Sequence, residues 1–280
     1  MTIVESTAEM QARALQARAA GQTVGLTPTM GALHEGHLSL VRAARRESEF
    51  VVVSLFVNPT QFGPTEDFDR YPRDFEGDRR KLEAEGVDVL YAPPAAEIYG
   101  PGFQTYVEVE ELGKRLDGAS RPGHFRGVAT VVAKLFHITQ PHRAYFGQKD
   151  AAQLAVIRRL VRDLDFRVEI VACPIVREPD GLAMSSRNAY LAAAERKAAA
   201  VLYRSLTRAR ICYESGERSG PVLRRILLDT LASEPLARVD YAEVVDPDSL
   251  LPLARVDRRA LAAVAAWFGE TRLIDNVLLG

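Results

Sequence analysis

The first two thirds of the chain alternate between short apolar blocks and longer stretches in which apolar residues recur at helical spacing. The blocks have the length of buried strands, and the longer stretches have the length of helices. The predicted strands cover residues 23–26, 50–57, 87–91, 144–146 and 168–171. The predicted helices cover residues 38–48, 74–85, 124–138 and 151–164.

This repeat of strand, helix and strand predicts an α/β fold with a Rossmann-like, doubly wound parallel sheet, whose ligands bind at the carboxyl ends of the strands. The pattern changes between Pro174 and Asn188. We therefore predict a first domain over residues 1–175 and a smaller α+β C-terminal domain over 176–280 that acts as a lid. The second domain is predicted to hold helices at 192–213 and 221–231 and strands at 239–245, 261–267 and 273–277.

The composition of the 280 residues, 47% hydrophobic and 26% charged, is typical of a globular protein with a sizeable core. The formal net charge of −1 gives no overall positive field, so neither nucleic acid nor a membrane surface is an expected partner. The two cysteines lie far apart and do not indicate a disulfide scaffold. We find no leader pattern and no apolar run near the length of a membrane span, and we expect a cytoplasmic protein.

The segment from Pro28 to His37 follows the first of the predicted strands and reads Pro-Thr-Met-Gly-Ala-Leu-His-Glu-Gly-His. A helix start attracts anions because its free N–H groups and the positive end of its dipole face outward. Gly31 and Gly36 remove side-chain bulk where a phosphate chain would approach the backbone. His34 and His37 add two N–H donors that can follow charge as it develops. The segment therefore indicates a nucleotide-binding turn.

The sequence of this turn also permits other interpretations. Zinc binding by the two histidines would need at least a third protein ligand, and the other histidines and the cysteines are scattered along the chain. The spacing also comes near that of a P-loop, but His37 and Leu38 stand where that motif needs lysine and a hydroxyl residue. Either histidine could also have only a structural role, such as capping the helix.

Three further polar segments stand out, at residues 58–62 and 147–150, which follow predicted strands, and at 181–188, where the pattern changes. Their sequences are Asn-Pro-Thr-Gln-Phe, Gly-Gln-Lys-Asp and Gly-Leu-Ala-Met-Ser-Ser-Arg-Asn. Because the chain has only five lysines, Lys149 within such a segment is informative. An ordinary loop is the alternative for each segment, and Asp150 could simply cap the helix that follows it.

Together these segments resemble the pantothenate synthetase (pantoate–β-alanine ligase) family. The resemblance rests on residues 27–40, 56–62 with 69–73, 146–150 with Gln153, and 181–188, and residues 121–125 fit as well, so it covers nearly the whole chain. The His-x-Gly-His and Met-Ser-Ser-Arg motifs are shared by the wider nucleotidyltransferase and class I aminoacyl-tRNA synthetase group. The Asn-Pro-Thr-Gln-Phe and Gly-Gln-Lys-Asp motifs narrow the resemblance to this family.

The resemblance implies an ATP-dependent ligase of coenzyme A precursor biosynthesis. ATP and (R)-pantoate would give pantoyl adenylate and pyrophosphate, and β-alanine would then displace AMP to give pantothenate. The pantoate carboxylate is ionised at neutral pH, so it needs no general base, and catalysis consists mostly of positioning and of stabilising charge. Mg²⁺ is expected to come with ATP, and no residue of the chain is assigned as a metal ligand. A homodimer is expected, with small molecules as the only other partners.

Residue by residue, the resemblance implies that His37 is the proton donor and that His34, Lys149, Ser185 and Arg187 share the catalytic work. It implies pantoate contacts for Gln61 and Gln153, and a β-alanine contact for Gln61. Weaker supporting roles fall to Asn58, Phe62, Tyr71 and Arg121, and no residue is assigned to deprotonate β-alanine. The implied ATP-binding residues are Met30, Gly31, Ala32, Leu33, His34, Glu35, Gly36, His37, Gly147, Gln148, Lys149, Asp150, Val176, Met184, Ser185, Ser186 and Arg187.

Three other functions are compatible with a nucleotide-binding α/β fold, and each makes a different prediction. A nicotinamide dehydrogenase would need a Gly-x-Gly-x-x-Gly turn after the first strand, and this chain has none. A nucleotidyltransferase acting on a phosphorylated substrate would keep the histidine turn but release a stable nucleotide product. A nucleotide-binding regulatory module would bind ATP without turnover. Pantoate-dependent pyrophosphate exchange separates these alternatives from the ligase.

Overall fold

The computed structural model describes residues 1–64 and 66–280, which form two compact units. The first unit comprises Met1–Gly147 and Val156–Pro174, and the second comprises Gln148–Ala155 and Ile175–Gly280. The division into domains at 1–175 and 176–280 stays a prediction.

The first unit contains the predicted parallel sheet. Its strands are β1 (Thr2–Val4), β2 (Val24–Thr29), β3 (Phe50–Leu55), β4 (Val89–Tyr91), β5 (Arg143–Gly147) and β6 (Glu169–Cys173). They lie in the order β1-β4-β3-β2-β5-β6, with every neighbouring pair parallel. The chain progresses in one direction from β2 through β3 to β4 and in the other from β5 to β6. The order therefore reverses between β2 and β5, which is where doubly wound sheets bind their ligands.

Helices surround this sheet. They are α1 (Thr7–Ala19), α2 (Glu35–Glu47), α3 (Phe75–Ala84), α4 (Ala95–Ile98), α5 (Asp117–Ser120), α6 (His124–Thr139) and α7 (Ala151–Asp163), the last of which begins in the second unit. The buried faces of α2 and α3 pack Val41, Ala44 and Leu82 against Val51 and Val53 of β3. The α/β prediction is confirmed, whereas β1 and α1 were not predicted.

β2 extends three residues beyond its predicted end at Leu26 and includes Pro28. It pairs with β3 along its whole length but with β5 only at Gly25 and Leu26. Proline cannot donate to a strand ladder, so it is tolerated where one side of a strand has no partner. The two strands at the reversal point therefore part toward their carboxyl ends.

The second unit is built on an antiparallel sheet of three strands, β7 (Arg238–Val245), β8 (Ala260–Phe268) and β9 (Thr271–Leu279). Its helices are α8 (Ala193–Ala199), α9 (Val201–Glu214) and α10 (Gly220–Ala232), and Leu206, Leu227 and Val264 are fully buried in the shared core. The smaller α+β unit is as predicted. The single helix predicted over 192–213 is wrong, because it breaks at Ala200 into two helices.

None of the helices within the described residues combines the length and the apolar character needed to cross a membrane.

Candidate active site

The turn after β2 is held in place by a buried carboxylate. Asp78 of α3 is fully buried, and its two oxygens accept the backbone N–H groups of Ala32 and Leu33 at 2.7 Å each. Lys81, one helical turn further along α3, donates from Nζ to the Leu33 carbonyl at 2.7 Å. Burial raises the pKa of Asp78, although the two backbone donors oppose this rise. The turn is therefore fixed by side chains that lie more than forty residues away in sequence.

The backbone of this turn requires glycine at residue 31. Gly31 has a φ of +87°. Glycine adopts this conformation readily, whereas a residue with a Cβ is strained in it. A Cβ there would lie 3.2 Å from Asp78 Oδ2 and 3.3 Å from Leu55 Cδ2. Ala32 also has a positive φ, of 51°. The conformation places His34 at the start of α2.

His34 and His37 cap α2 reciprocally. The N–H of Gly36 donates to His34 Nδ1 at 3.1 Å, and the N–H of His34 donates to His37 Nδ1 at 3.3 Å. Since Nδ1 of each ring is an acceptor, a neutral ring carries its proton on Nε2. The ring centroids are 4.1 Å apart. The turn thus contains two imidazoles whose Nε2–H groups can donate. In each ring Nδ1 caps the helix, and Nε2 is the atom that can donate to a ligand.

The backbone donors at the turn are largely committed within the turn itself. Those of Ala32, Leu33, His34 and Gly36 already meet Asp78 or an imidazole nitrogen. An anion at this helix start would therefore accept hydrogen bonds mainly from imidazole N–H groups. The sequence had indicated that backbone N–H groups would bind it.

Gln61 lies in a short 3-10 turn, Pro59–Gln61, that follows β3, and only 8% of it is exposed. Its Nε2 donates to Met30 Sδ at 3.0 Å, which brings a predicted pantoate residue against a predicted ATP residue. Its Oε1 accepts from Asn58 Nδ2 at 3.0 Å. Asn58 also donates to the Gly127 carbonyl and accepts from the Tyr99 hydroxyl. The orientation of the Gln61 amide is therefore fixed by Met30 and Asn58.

A second cluster supports Gln61 through its backbone. His124 Nδ1 lies 2.9 Å from the Gln61 carbonyl oxygen, and Arg121 lies 3.0 Å from His124 Nε2. Arg121 donates to both oxygens of Glu66, at 2.8 and 2.6 Å. Burial acts to raise the pKa of Glu66, but Arg121, together with the Gly63 N–H and His124, outweighs burial, so the pKa is lowered. Beside this cluster, the Phe62 ring packs edge-on against Tyr71.

In the second unit, Lys149 lies in a 3-10 turn, Gln148–Asp150, that runs directly into α7. Its Nζ is 3.5 Å from Asp150 Oδ1. The turn is tied to β9 by Asn276, whose Nδ2 donates to the carbonyls of Gln148 and Lys149 at 2.9 Å each. Gln153 follows on α7 and is partly exposed.

The predicted Met-Ser-Ser-Arg segment leaves a small antiparallel hairpin of the second unit. Arg177 pairs with Ala183, and the N–H of Met184 donates to the Val176 carbonyl at 3.0 Å. Ser185 then caps the 3-10 helix Ser186–Tyr190 by accepting the N–H of Arg187 at 3.3 Å. The hydroxyl of Ser185 thus has a local structural bond in addition to any ligand it meets.

The structure distributes the predicted residues over both units. Leu33 is buried in the core, and the Glu35 carboxylate is paired with Arg42, so neither side chain is presented like those of the histidines. In the first unit lie Met30, Gly31, Ala32, Leu33, His34, Glu35, Gly36, His37, Gln61 and Gly147. In the second lie Gln148, Lys149, Asp150, Gln153, Val176, Met184, Ser185, Ser186 and Arg187.

Sequence reasoning missed Asp78 and Asn276. Asp78 lies four residues before the buried Leu82, on the same face of α3, which is a weak indication that its carboxylate is buried. Asn276 offered no comparable indication, since it lies in a predicted strand region of the second domain and its partners lie far away in sequence.

Comparisons with known proteins agree with one another. The family model for pantoate-beta-alanine ligase matches residues 2–278. Pantothenate synthetase of Thermotoga petrophila is 56% identical over 280 residues, which is all of both chains. The enzyme of that name from Acidobacterium capsulatum is 62% identical over 259 residues, 92% of this chain and 87% of its own.

Solved structures agree as well. The crystal structure of pantothenate synthetase from Thermus thermophilus has a TM-score of 0.94 at 51% identity and covers 99% of each chain. Pantoate-beta-alanine ligase from Francisella tularensis, solved in complex with beta-gamma ATP and beta-alanine, has a TM-score of 0.81 at 35% identity. That match covers 99% of this chain and 97% of the other.

Proposed function

This chain belongs to the pantoate-β-alanine ligase family, and from that premise we propose that it joins (R)-pantoate to β-alanine in two steps at the residues described above. In the first step a pantoate carboxylate oxygen attacks the α-phosphorus of ATP, and the bond to the β-phosphate oxygen breaks. Pyrophosphate leaves and pantoyl adenylate remains. In the second step the β-alanine nitrogen attacks the acyl carbon, AMP leaves with the bonding pair, and the amine gives up its proton.

The observation that carries this proposal is the pair of backbone N–H groups that donate to Nδ1 of His34 and of His37, from which we infer that Nε2 carries the proton of each neutral ring. An adenylyl transfer builds negative charge on the α-phosphate oxygens and on the leaving pyrophosphate. Donors fixed in advance stabilise such charge without reorganising. His37 and His34 carry Nε2–H groups whose orientation is set by Nδ1 bonds to the backbone, at the carboxyl end of β2 beside the strand reversal. We assign His37 as the proton donor and His34 as its neighbour on the phosphates.

We assign the remaining roles from charge and geometry. Gln61 would bind the pantoate hydroxyls and the β-alanine, because its amide is neutral and held in place by Asn58. Lys149 and Arg187 would bind phosphate oxygens, with Ser185 and Ser186 as hydroxyl donors and Val176 as a backbone partner of adenine. Gln153 would complete the pantoate contacts.

The chain's donors fit a magnesium ion that arrives with ATP. Within residues 1–64 and 66–280, no group of three or more His, Cys, Asp or Glu side chains is arranged to hold a metal ion. Magnesium in such sites is held largely by phosphate oxygens and water, with one or two carboxylates. Asp150, whose side chain is 46% exposed beside Lys149, would be one such carboxylate. The ion would supply positive charge against the triphosphate. The homodimer and the cytoplasmic location stay predictions.

Pyrophosphate exchange tests the two-step route. We expect labelled pyrophosphate to enter ATP when pantoate and magnesium are present and β-alanine is absent, because the adenylate forms before the amine takes part. Omitting pantoate should stop the exchange. The nucleotide released after β-alanine is added should be AMP.

Each other outcome of this assay overturns the proposal. Release of ADP would mean attack at the γ-phosphate, and exchange that needs a phosphorylated substrate would indicate a nucleotidyltransferase. ATP binding without exchange or pantothenate formation would indicate a regulatory module.

Substitution of Gln61 tests the pantoate contact. A hydrogen bond between neutral groups, such as this amide and a hydroxyl, contributes about 0.5–1.5 kcal/mol, so Gln61→Ala should weaken pantoate binding roughly 2- to 10-fold. ATP binding to the enzyme alone should change little. Titration of each ligand separately measures both effects, with Gln104→Ala, at an exposed glutamine, as the matched control. Equal losses for ATP and pantoate would show that Gln61 has been given the wrong ligand.

A further inference from the structure

Asn276 uses its side-chain amide to hold the backbone on which Lys149 sits. The residue is 2% exposed. Both hydrogens of Nδ2 are used, by the carbonyls of Gln148 and Lys149, and Oδ1 accepts from Gln148 Nε2 at 3.2 Å. An amide is the only uncharged side-chain group that offers two such donors and an acceptor together. The turn is thus held by a side chain that is almost completely buried.

The adjacent residue on β9 holds the hairpin in the same manner. The Asp275 carboxylate is 1% exposed and pairs with both terminal nitrogens of Arg177, at 2.6 and 3.0 Å. Arg177 also donates to the Gly181 carbonyl at 3.0 Å and lies over the Tyr203 ring at 4.0 Å. Gly181 itself has a φ of +91°. The hairpin that leads to Met184 is therefore anchored at its base.

The two anchors are also joined to each other. The backbone N–H of Asn276 donates to Asp275 Oδ1 at 2.7 Å, and Arg177 reaches the Asn276 carbonyl at 3.3 Å. Two consecutive residues of β9 therefore hold two segments that carry candidate phosphate-binding cations, the Lys149 turn and the hairpin that leads to Arg187.

We propose that Asn276 is a positioning residue for Lys149: it sets where the ammonium group lies relative to the phosphates without contacting them. The proposal rests on the role assigned to Lys149 above. A misplacement of about 1 Å at a reacting group can cost 10²-fold in rate. Loss of Asn276 should therefore lower the rate of adenylate formation more than it lowers the affinity for pantoate.

The test is Asn276→Asp, which preserves shape but replaces both donors by an acceptor facing two carbonyls, together with Asn276→Ala, which removes the donors without adding charge. We expect each variant to lower kcat of pantoate-dependent pyrophosphate exchange roughly 10- to 100-fold, with the KM for pantoate little changed. Arg272→Gln is the matched control, since it breaks a bond from β9 to Asp240 without touching the Lys149 turn. It should retain kcat at a comparable loss of melting temperature.

A double variant separates positioning from general destabilisation. If Asn276 acts through Lys149, Lys149→Ala combined with Asn276→Ala should be no slower than Lys149→Ala alone. Multiplied losses, or kcat within twofold of the parent protein in both Asn276 variants, would overturn the inference. A fall in kcat in Arg272→Gln as large as in Asn276→Ala would overturn it as well.

The Lys149→Ala variant also tells the two proposals apart. If exchange by Lys149→Ala is unimpaired, the role of Lys149 in the proposed function is wrong, and the positioning role fails with it. If Lys149→Ala is impaired while the Asn276 variants are not, only the positioning role fails.

Discussion

His37→Ala is expected to slow pantoyl adenylate formation by about 10²–10³-fold, because loss of one fixed donor to a developing anion costs on the order of 2.7–4 kcal/mol in barrier. ATP binding should fall much less, since the donor is expected to act mainly as charge builds up. Rapid-quench measurement of adenylate formation and a separate ATP titration give the two values. His137→Ala, at an exposed histidine of the same unit, is the control and should leave both unchanged.

His37→Asn separates the two functions of this ring. Asparagine can still accept the His34 N–H in place of Nδ1, but it has no donor at the Nε2 position. If the rate is lost through Nε2, His37→Asn should be as slow as His37→Ala. Recovery of the rate in His37→Asn would mean that the ring only caps α2, and equal losses of rate and ATP affinity would remove the proposed role.

Arg177→Met is expected to lower the free energy of unfolding by about 3–5 kcal/mol, the usual cost of removing one partner from a buried ion pair. The Asp275 carboxylate, 1% exposed, would be left without its counter-charge. Chemical denaturation measures the loss. Arg225→Met is the control, since that pair is 76% and 68% exposed and should contribute less than about 1 kcal/mol.

The pH dependence of this variant has a definite sign. Burial raises the pKa of Asp275 even with Arg177 present, and loss of Arg177 removes the main opposing influence. A carboxyl whose pKa is higher in the folded than in the unfolded state destabilises the fold increasingly as pH rises through that interval. The deficit of Arg177→Met should therefore shrink as pH falls from the higher pKa that Asp275 has in the variant toward the pKa that it has in the parent protein. A deficit that grows on acidification, or one no larger than in Arg225→Met, would contradict the interpretation.

Strong periodicity made the main elements predictable, and weak periodicity explains the misses. In α1 the buried positions are Met10, Ala14 and Ala17, so its apolar stripe is mostly alanine and hard to distinguish from a solvated segment. β1 has only three residues and depends on pairing with β4. At Ala200 no glycine or proline marks the break between α8 and α9, and the local sequence offers no reason to expect one.

The candidate site was predictable only where residues with reactive side chains directly follow a predicted strand. The histidines follow a strand directly and were visible in the sequence. Asp78 and Asn276 were not, because their partners lie 45 or more and 127 or more residues away and the contacts exist only in the folded chain. Sequence reasoning could therefore identify the groups proposed to meet ligand but not those that hold them in place.

The bonds from Asp78 to the turn of Ala32 and Leu33 also set an order of events during synthesis. The histidines emerge from the ribosome before α3, and a compact unit generally folds as a whole once its elements have been made. Without Asp78, the positive φ values at Gly31 and Ala32 have no buried carboxylate to stabilise them. A nascent chain that ends before α3 therefore lacks the carboxylate that holds the turn, and we expect both imidazoles to reach their native arrangement only once α3 has docked.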